Sequence, residues 1–333
     1  MPTHPRPDRS SPLLLSLISL VLFVLLVIFI LWCIGSFWAW LGRGKRVRNA
    51  VEDEGVSPAT RQMVAKIQAV RDARKREGSK GEKAPHLNRA QLKEVKKAEK
   101  QVQESFLDHL KLGWYQIVMI FFIGSVLGLM LEEVWMFITA GVTESRVGLV
   151  WGPFSPLYGA GAVLLTLVTF QLRKMHAKGI VVFLVSMVVG GLLEQITGWS
   201  METFMGAVSW DYIAGGVPGA ITKWVAVPFL FFWGLLGYLW YKLVMPDLLY
   251  MLGVPTTRRK VIFITLLSIY LILDIFMTVM CFDRRAERDA GVPPANAFEE
   301  WVDENFNNAF MSERFQNMVI EGTGDAYDAV TGA

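Results

Sequence analysis

Unbroken apolar stretches, each about 20 residues long, restrict this chain to a membrane. A helix rises about 1.5 Å per residue, so a run of that length matches a hydrocarbon core roughly 30 Å thick. Six runs qualify, at roughly residues 12–40, 114–140, 150–172, 179–199, 225–245 and 261–282. Water is scarce at that depth, and each segment must satisfy its own backbone N–H and C=O groups. The expected fold is therefore all-α, a polytopic membrane helix bundle of about six transmembrane helices. At 333 residues and 53% hydrophobic composition the chain is long enough for soluble domains, but apolar residues gathered into such runs exclude that reading.

The first run, Leu13 to Leu41, is longer than the core of a secretory signal and is followed by no A-x-A site, so it reads as an anchor. Bulky Trp32 argues against lipid attachment at Cys33. Cys281, near the opposite face, is placed wrongly for a disulfide with it, and both read as buried thiols. Lys and Arg set the orientation. Residues 42–112 carry Arg43, Lys45, Arg46, Arg48, Lys96 and Lys97 among others, and two short loops carry Arg173, Lys174 and Lys178, and Arg258, Arg259 and Lys260. These face the cytoplasm, which leaves the N-terminus and the acidic C-terminal tail outside.

The chain thus divides into an N-terminal transmembrane anchor (1–41), a basic cytoplasmic helical insert (42–112), a four-helix membrane core (113–246), a sixth transmembrane helix (247–282) and an acidic extracytoplasmic tail (283–333). The insert reads as two helices, one after Ser57-Pro58 with Met63, Val64, Ile67 and Val70, the other with Leu92, Val95, Val102 and Phe106, broken between Gly78 and Pro85. Its charge favours a solvated hairpin over a docking surface for a partner or for anionic lipid. The tail predicts one amphipathic helix, with Asn296 as cap, Glu299 three residues on, and Phe298, Val302, Phe306 and Phe310 on one face. That face covers either the outer leaflet or the mouth of the bundle, and interfacial packing is the favoured role. The glycine-rich end beyond Glu321 reads as disordered.

Where the third span begins, the run from Arg146 to Gly161 holds glycines, Pro153, Pro156 and Tyr158. Backbone that irregular is tolerated at membrane depth only where protein or a water-filled cavity satisfies its polar groups. Glu132, Tyr158, Glu194 and Asp274, from four spans, fall in one slab roughly 7 to 12 Å below the outer boundary at the helical rise. Ionisable groups at such depth normally face a bundle interior and pair. Tyr270, Asp274 and Thr278 form a polar stripe down the sixth span, read equally as a proton or cation site and as an interhelical hydrogen bond.

Gly128-Leu-Met-Leu-Glu132 and Gly190-Gly-Leu-Leu-Glu194 share the pattern G-x-x-L-E, which sets a glycine one turn before each acid and lets another helix approach closely. Spans two and three are on this pattern a candidate parallel repeat of spans four and five. Counter-charges are few, namely Arg146 and Lys223. If Arg146 pairs with one glutamate the slab stays acidic and favours a cation, an amine or a proton; the competing reading is a structural ion-pair cluster. Asp211, within Trp210-Asp211-Tyr212, lines the entrance or anchors the outer loop. The substrate-binding candidates are Glu132, Arg146, Tyr158, Glu194, Asp211 and Asp274, with no catalytic or metal-binding candidate and no cofactor.

Over about residues 114–246 the chain resembles the bacterial integral-membrane proteins classed as ABC-transporter type IV permeases. The resemblance rests on Gly128 with Glu132, Gly152-Pro153-Phe154-Ser155-Pro156-Leu157-Tyr158-Gly159, Leu193-Glu194 with Gly198-Trp199 and Glu202, Trp210-Asp211-Tyr212, and Trp233-Gly234 followed by Pro246. Before span five the family's N-x-x-G-R is replaced by Gly219-Ala-Ile-Thr-Lys223-Trp224, in which Lys223 keeps only the positive charge. The first span, insert, sixth span and tail fall outside it. It implies a multi-pass protein of a bacterial cytoplasmic membrane whose transport is powered by a separate ATP-binding subunit.

The chain has no G-x-x-x-x-G-K-[ST] of its own, and nothing points to nucleic acid. A permease-like transport component is the leading reading. An intramembrane enzyme on a lipid-linked substrate ranks below it, because H-E-x-x-H and G-x-S-x-G are absent and His4, His86, His109 and His176 all lie outside the slab. An assembly or regulatory subunit remains a third reading. Lipid and a second copy of the chain are the other expected partners.

Overall fold

The computed structural model describes residues 89–141, 143–254 and 258–320, with single positions 58, 62 and 65. The expected first span at 12–40, Cys33, the first helix of the insert and the end beyond Glu321 lie outside the described residues. The chain divides into two compact units, Met1–Ser105 and Phe106–Ala333, and the second carries the described helices long enough to cross a membrane.

The described residues are helical apart from loops and one two-residue antiparallel pair. In chain order they form α1 (Arg89–His109), α2 (Trp114–Ala140), α3 (Pro156–Lys174), α4 (Gly179–Met205), β1 (Ala207–Val208), α5 (Val227–Leu239), a π-helical turn (Trp240–Val244), α6 (Met245–Leu252), α7 (Arg258–Asp289), α8 (Ala297–Asn305), α9 (Asn308–Arg314) and β2 (Val319–Ile320). Four stretches among them are long and apolar enough to cross a membrane: Trp114–Ile138, Gly179–Met205, Val227–Leu252 and Arg258–Asp289. These match the second, fourth, fifth and sixth expected spans. The third differs: its helix starts at Pro156 rather than near 150, because Pro156 fits the first helical turn whereas Gly152 and Pro153 sit in the irregular approach.

Two sequence features shape the fifth span. Pro228 sits in the first turn of α5, where a missing N–H costs nothing, but Pro246 falls inside the continuous helix and removes a donor there. The π-helical turn immediately before Pro246 absorbs that defect. Within the turn, Trp240 Nε1 donates to Thr166 Oγ1 of α3 at 3.0 Å.

The tail departs from the single helix expected of it. Asn296 caps α8 through Phe298 N–H and Glu299 N–H, both at 3.0 Å, as its spacing predicts. Asn307 then accepts from Phe310 N–H and starts a second short helix, so α8 ends and α9 turns back. Val302, Phe306, Met311 and Phe315 are buried against Val150, Met277, Cys281 and Phe282, and β2 pairs with β1. The tail's apolar face thus covers α7 and the start of the broken run.

Arg284, which is 1% exposed, and Arg288 both bind the Asp303 carboxylate, Arg284 at 2.5 Å. Their hydrogen bonds hold that carboxyl below the usual range. A depressed folded-state value means that the stabilisation is complete above the unfolded pKa of about 4 and is lost as pH falls through the folded value. Acidification below about pH 4 is therefore expected to release the tail, read as new proteolytic cleavage between α8 and α9, and Asp303→Asn should expose the same sites at neutral pH.

Candidate functional site

The broken run is held by partners from distant parts of the chain. Val150 N–H donates to Thr278 Oγ1 and Trp151 N–H to Asp274 Oδ1, both at 2.9 Å. Gly152 turns the chain at φ +66°, and its carbonyl accepts from Arg314 of α9. Arg314 also donates to Leu149 O at 3.0 Å, and Ser155 N–H donates to Ser125 O of α2 at 3.3 Å. The irregular backbone is thus satisfied by protein, as its depth requires. It closes one side of a cavity of about 860 Å³.

Glu132, Arg146, Tyr158, Glu194 and Asp211 all line this cavity, and Asp274 does not. Arg146 Nε donates to Glu132 Oε1 at 2.7 Å, with side-chain exposures of 15% and 22%, and the Tyr158 hydroxyl donates to the same carboxylate. The neighbouring Glu133 accepts from the Arg146 backbone N–H, so two adjacent acids hold this loop.

Glu194 is placed differently. One carboxylate oxygen accepts from Trp233 Nε1 at 3.0 Å and from the Tyr212 hydroxyl at 3.4 Å. Among the described residues its other oxygen has no hydrogen-bond partner, although Glu194 is only 7% exposed. Burial, reinforced by the Glu194 charge, pushes the Tyr212 phenol well up, so it stays protonated and remains a donor. Tyr212 also stacks on Phe229 with ring centroids 4.5 Å apart.

The loop between β1 and α5 is built around Asp211. Its Oδ1 accepts from Ile213 N–H and Ala214 N–H at 2.9 Å, and Tyr212 N–H donates to Lys223 O at 2.8 Å. Lys223 bonds Glu202 at 2.7 Å and stands 4.0 Å from Asp211 Oδ2. The charge kept at this divergent position thus ties together two of the residues that carry the family resemblance.

The two G-x-x-L-E segments have equivalent surroundings. A Cβ on Gly128 would lie 2.3 Å from Tyr158 Cβ, and one on Gly190 would lie 2.0 Å from Trp233 Cγ. Each glycine admits an aromatic residue that hydrogen-bonds the glutamate one turn later. Further contacts match: Gly159 meets Phe121 and Ser125 as Gly234 meets Phe183 and Met187, and Gly124 meets Ala162 as Ser186 meets Gly237. These close contacts of the α2–α3 pair therefore recur at matching positions in α4–α5. Trp233, Tyr212 and Glu133 were not among the sequence candidates. The aromatic-glycine pairs Tyr158-Gly159 and Trp233-Gly234 are the signal that marks Trp233.

Asp274 sits behind the broken run instead of on the cavity wall, and its buried Oδ2 has no hydrogen-bond partner among the described residues. Among the described residues no group of three or more His, Cys, Asp and Glu side chains is placed to hold a metal ion.

No curated protein and no solved structure shows a significant match to the chain. A family match is present and runs past residue 246 to 279, so most of α7, which the resemblance left outside, belongs to the matched core. Residues 119–279, which include every cavity carboxylate, match the family described as "Putative ABC-transporter type IV", and this similarity supports a permease-like membrane transporter role for the matched stretch.

Proposed function

We propose that this chain is the membrane permease component of a transport system and that the cavity bounded by Glu132, Arg146, Tyr158, Glu194 and Asp211 receives a cationic or protonatable solute. The unpartnered Glu194 oxygen carries this reading. A carboxylate that deep needs a partner, and a cationic solute supplies one. Among the described residues the cavity lining has three carboxylates against the single guanidinium of Arg146, which disfavours an anion. Asp274 acts at one remove in this scheme by fixing the broken run, and the Arg146–Glu132 pair fixes another part of the cavity wall.

Energy comes from a separate ATP-binding subunit docked on the basic cytoplasmic surfaces, because the chain lacks a phosphate-binding loop. The Lys and Arg distribution supports the orientation, with residues 42–112 inside, the N-terminus and tail outside, and the site in the outer half of the bilayer. The domain division at 41, 112, 246 and 282 goes with this reading.

The test is uptake by membrane vesicles of radiolabelled methylammonium, tetraethylammonium and dodecyltrimethylammonium, with and without ATP. At least one should accumulate with ATP, and Glu194→Gln should lower that uptake at least tenfold at equal protein level in the membrane. Uptake unchanged by Glu194→Gln, or no ATP-dependent uptake of any of the three, overturns the assignment. Cross-linking before purification should recover an ATP-binding subunit.

A further inference from the structure

The cavity has a charged end and an apolar mouth, and the combination specifies a class of ligand. At the charged end the free Glu194 oxygen stands beside Trp233 and the stacked Tyr212–Phe229 pair. Aromatic faces attract cations, most strongly where water is excluded.

Phe232 and Leu236 of α5 and Ile275 and Val279 of α7 line the same cavity. They are nevertheless 58%, 47%, 41% and 46% exposed on the perimeter of the bundle. Residues that both line a cavity and reach the perimeter mark an opening. This one lies between two helices long and apolar enough to cross a membrane, and its apolar rim suits acyl chains better than water. The cavity volume, about 860 Å³, also lies in the upper part of the range of about 300–1,000 Å³ for small-molecule sites and far exceeds what a simple ammonium ion fills.

We propose that the ligand is a cationic amphiphile that enters sideways from the bilayer, with its amine head on Glu194 and its alkyl chain running out between α5 and α7. The proposal rests on the reading of Glu194 as a cation site and adds the apolar chain and the lateral route. A hydrophilic cation uses only the charged end, and an uncharged lipid leaves the carboxylate oxygen unpaired.

The experiment uses the full chain in phosphatidylcholine nanodiscs, with binding of radiolabelled dodecylamine read by scintillation proximity against protein-free discs. Saturable binding is expected, with butylamine and dodecanol competing at least tenfold more weakly than unlabelled dodecylamine. Glu194→Gln should weaken dodecylamine binding at least tenfold. Leu236→Trp, which crowds the mouth at an exposed position, should weaken it at least fivefold. Butylamine competing as well as dodecylamine overturns the amphiphile while leaving the cation site intact. Dodecanol competing equally overturns both. Absence of saturable dodecylamine binding overturns the amphiphile, and the uptake of methylammonium then judges the cation site separately. If Glu194→Gln fails to insert, the head-group comparison and Leu236→Trp carry the test, and wild-type affinity in Leu236→Trp refutes the lateral route.

Discussion

Gly190→Ala is expected to destabilise the bundle by about 2 kcal/mol or more. The added Cβ would fall 2.0 Å from Trp233 Cγ and 2.5 Å from Trp233 Cβ. These atoms are at the root of the side chain, so rotating the indole gives no relief, and α4 and α5 must separate. Overpacking of this kind costs about 1–3 kcal/mol, and moving Trp233 also strips a donor from buried Glu194, at about 1–3 kcal/mol more. Alanine's better helix propensity returns at most about 1 kcal/mol. Gly128→Ala meets Tyr158 in the same way and should behave alike. Val188→Ala, on the same helix but 62% exposed, should change stability by no more than about 0.5 kcal/mol. Unfolding by SDS titration in mixed micelles measures all three, and a Gly190→Ala variant as stable as Val188→Ala would refute the close-packing account.

That glycine pair was legible in the sequence because its chemistry is local. Two G-x-x-L-E segments on apolar runs fix a face, and the face fixes what can approach. Four of the expected spans were legible for a similar reason, since run length alone sets a crossing helix. The aromatic residues that fill the glycine grooves were not, because Tyr158 and Trp233 come from other helices and their rotation depends on packing.

The broken run shows the same boundary. Its prolines and glycines announced irregular backbone at depth, and the need for polar partners followed from physics. Which partners supply them did not. Thr278 and Asp274 lie more than a hundred residues away, and Arg314 comes from a tail read as one interfacial helix. The polar stripe on the sixth span therefore admitted a cation site and an interhelical bond equally, and only its placement behind the run shows Asp274 holding loop backbone. Asn307 is the local signal that divides the tail, being a capping residue within a continuous apolar face.

Arg146→Met is expected to cost about 3 kcal/mol, whereas Arg146→Met combined with Glu132→Gln should recover most of that loss. Removing the guanidinium leaves the Glu132 carboxylate, 22% exposed, with the Tyr158 hydroxyl as its remaining hydrogen-bond donor. An uncompensated charge at such a position costs about 3–5 kcal/mol when fully buried, and the partial exposure here favours the lower end. The Glu133 bond to the Arg146 backbone survives in both variants, so the loop stays in place and the cycle isolates the charge pair. SDS unfolding of the four forms should give a coupling energy of about 1.5–3 kcal/mol. This measurement bears on function because Glu132 and Glu194 occupy equivalent places in the two helix pairs and differ chiefly in Arg146. If Glu132 needs its arginine, then Glu194, more deeply buried and with no basic partner among the described residues, needs a cation from elsewhere. A coupling energy below about 0.5 kcal/mol would mean that this environment tolerates a lone carboxylate, and the free oxygen of Glu194 would no longer argue for a cationic ligand.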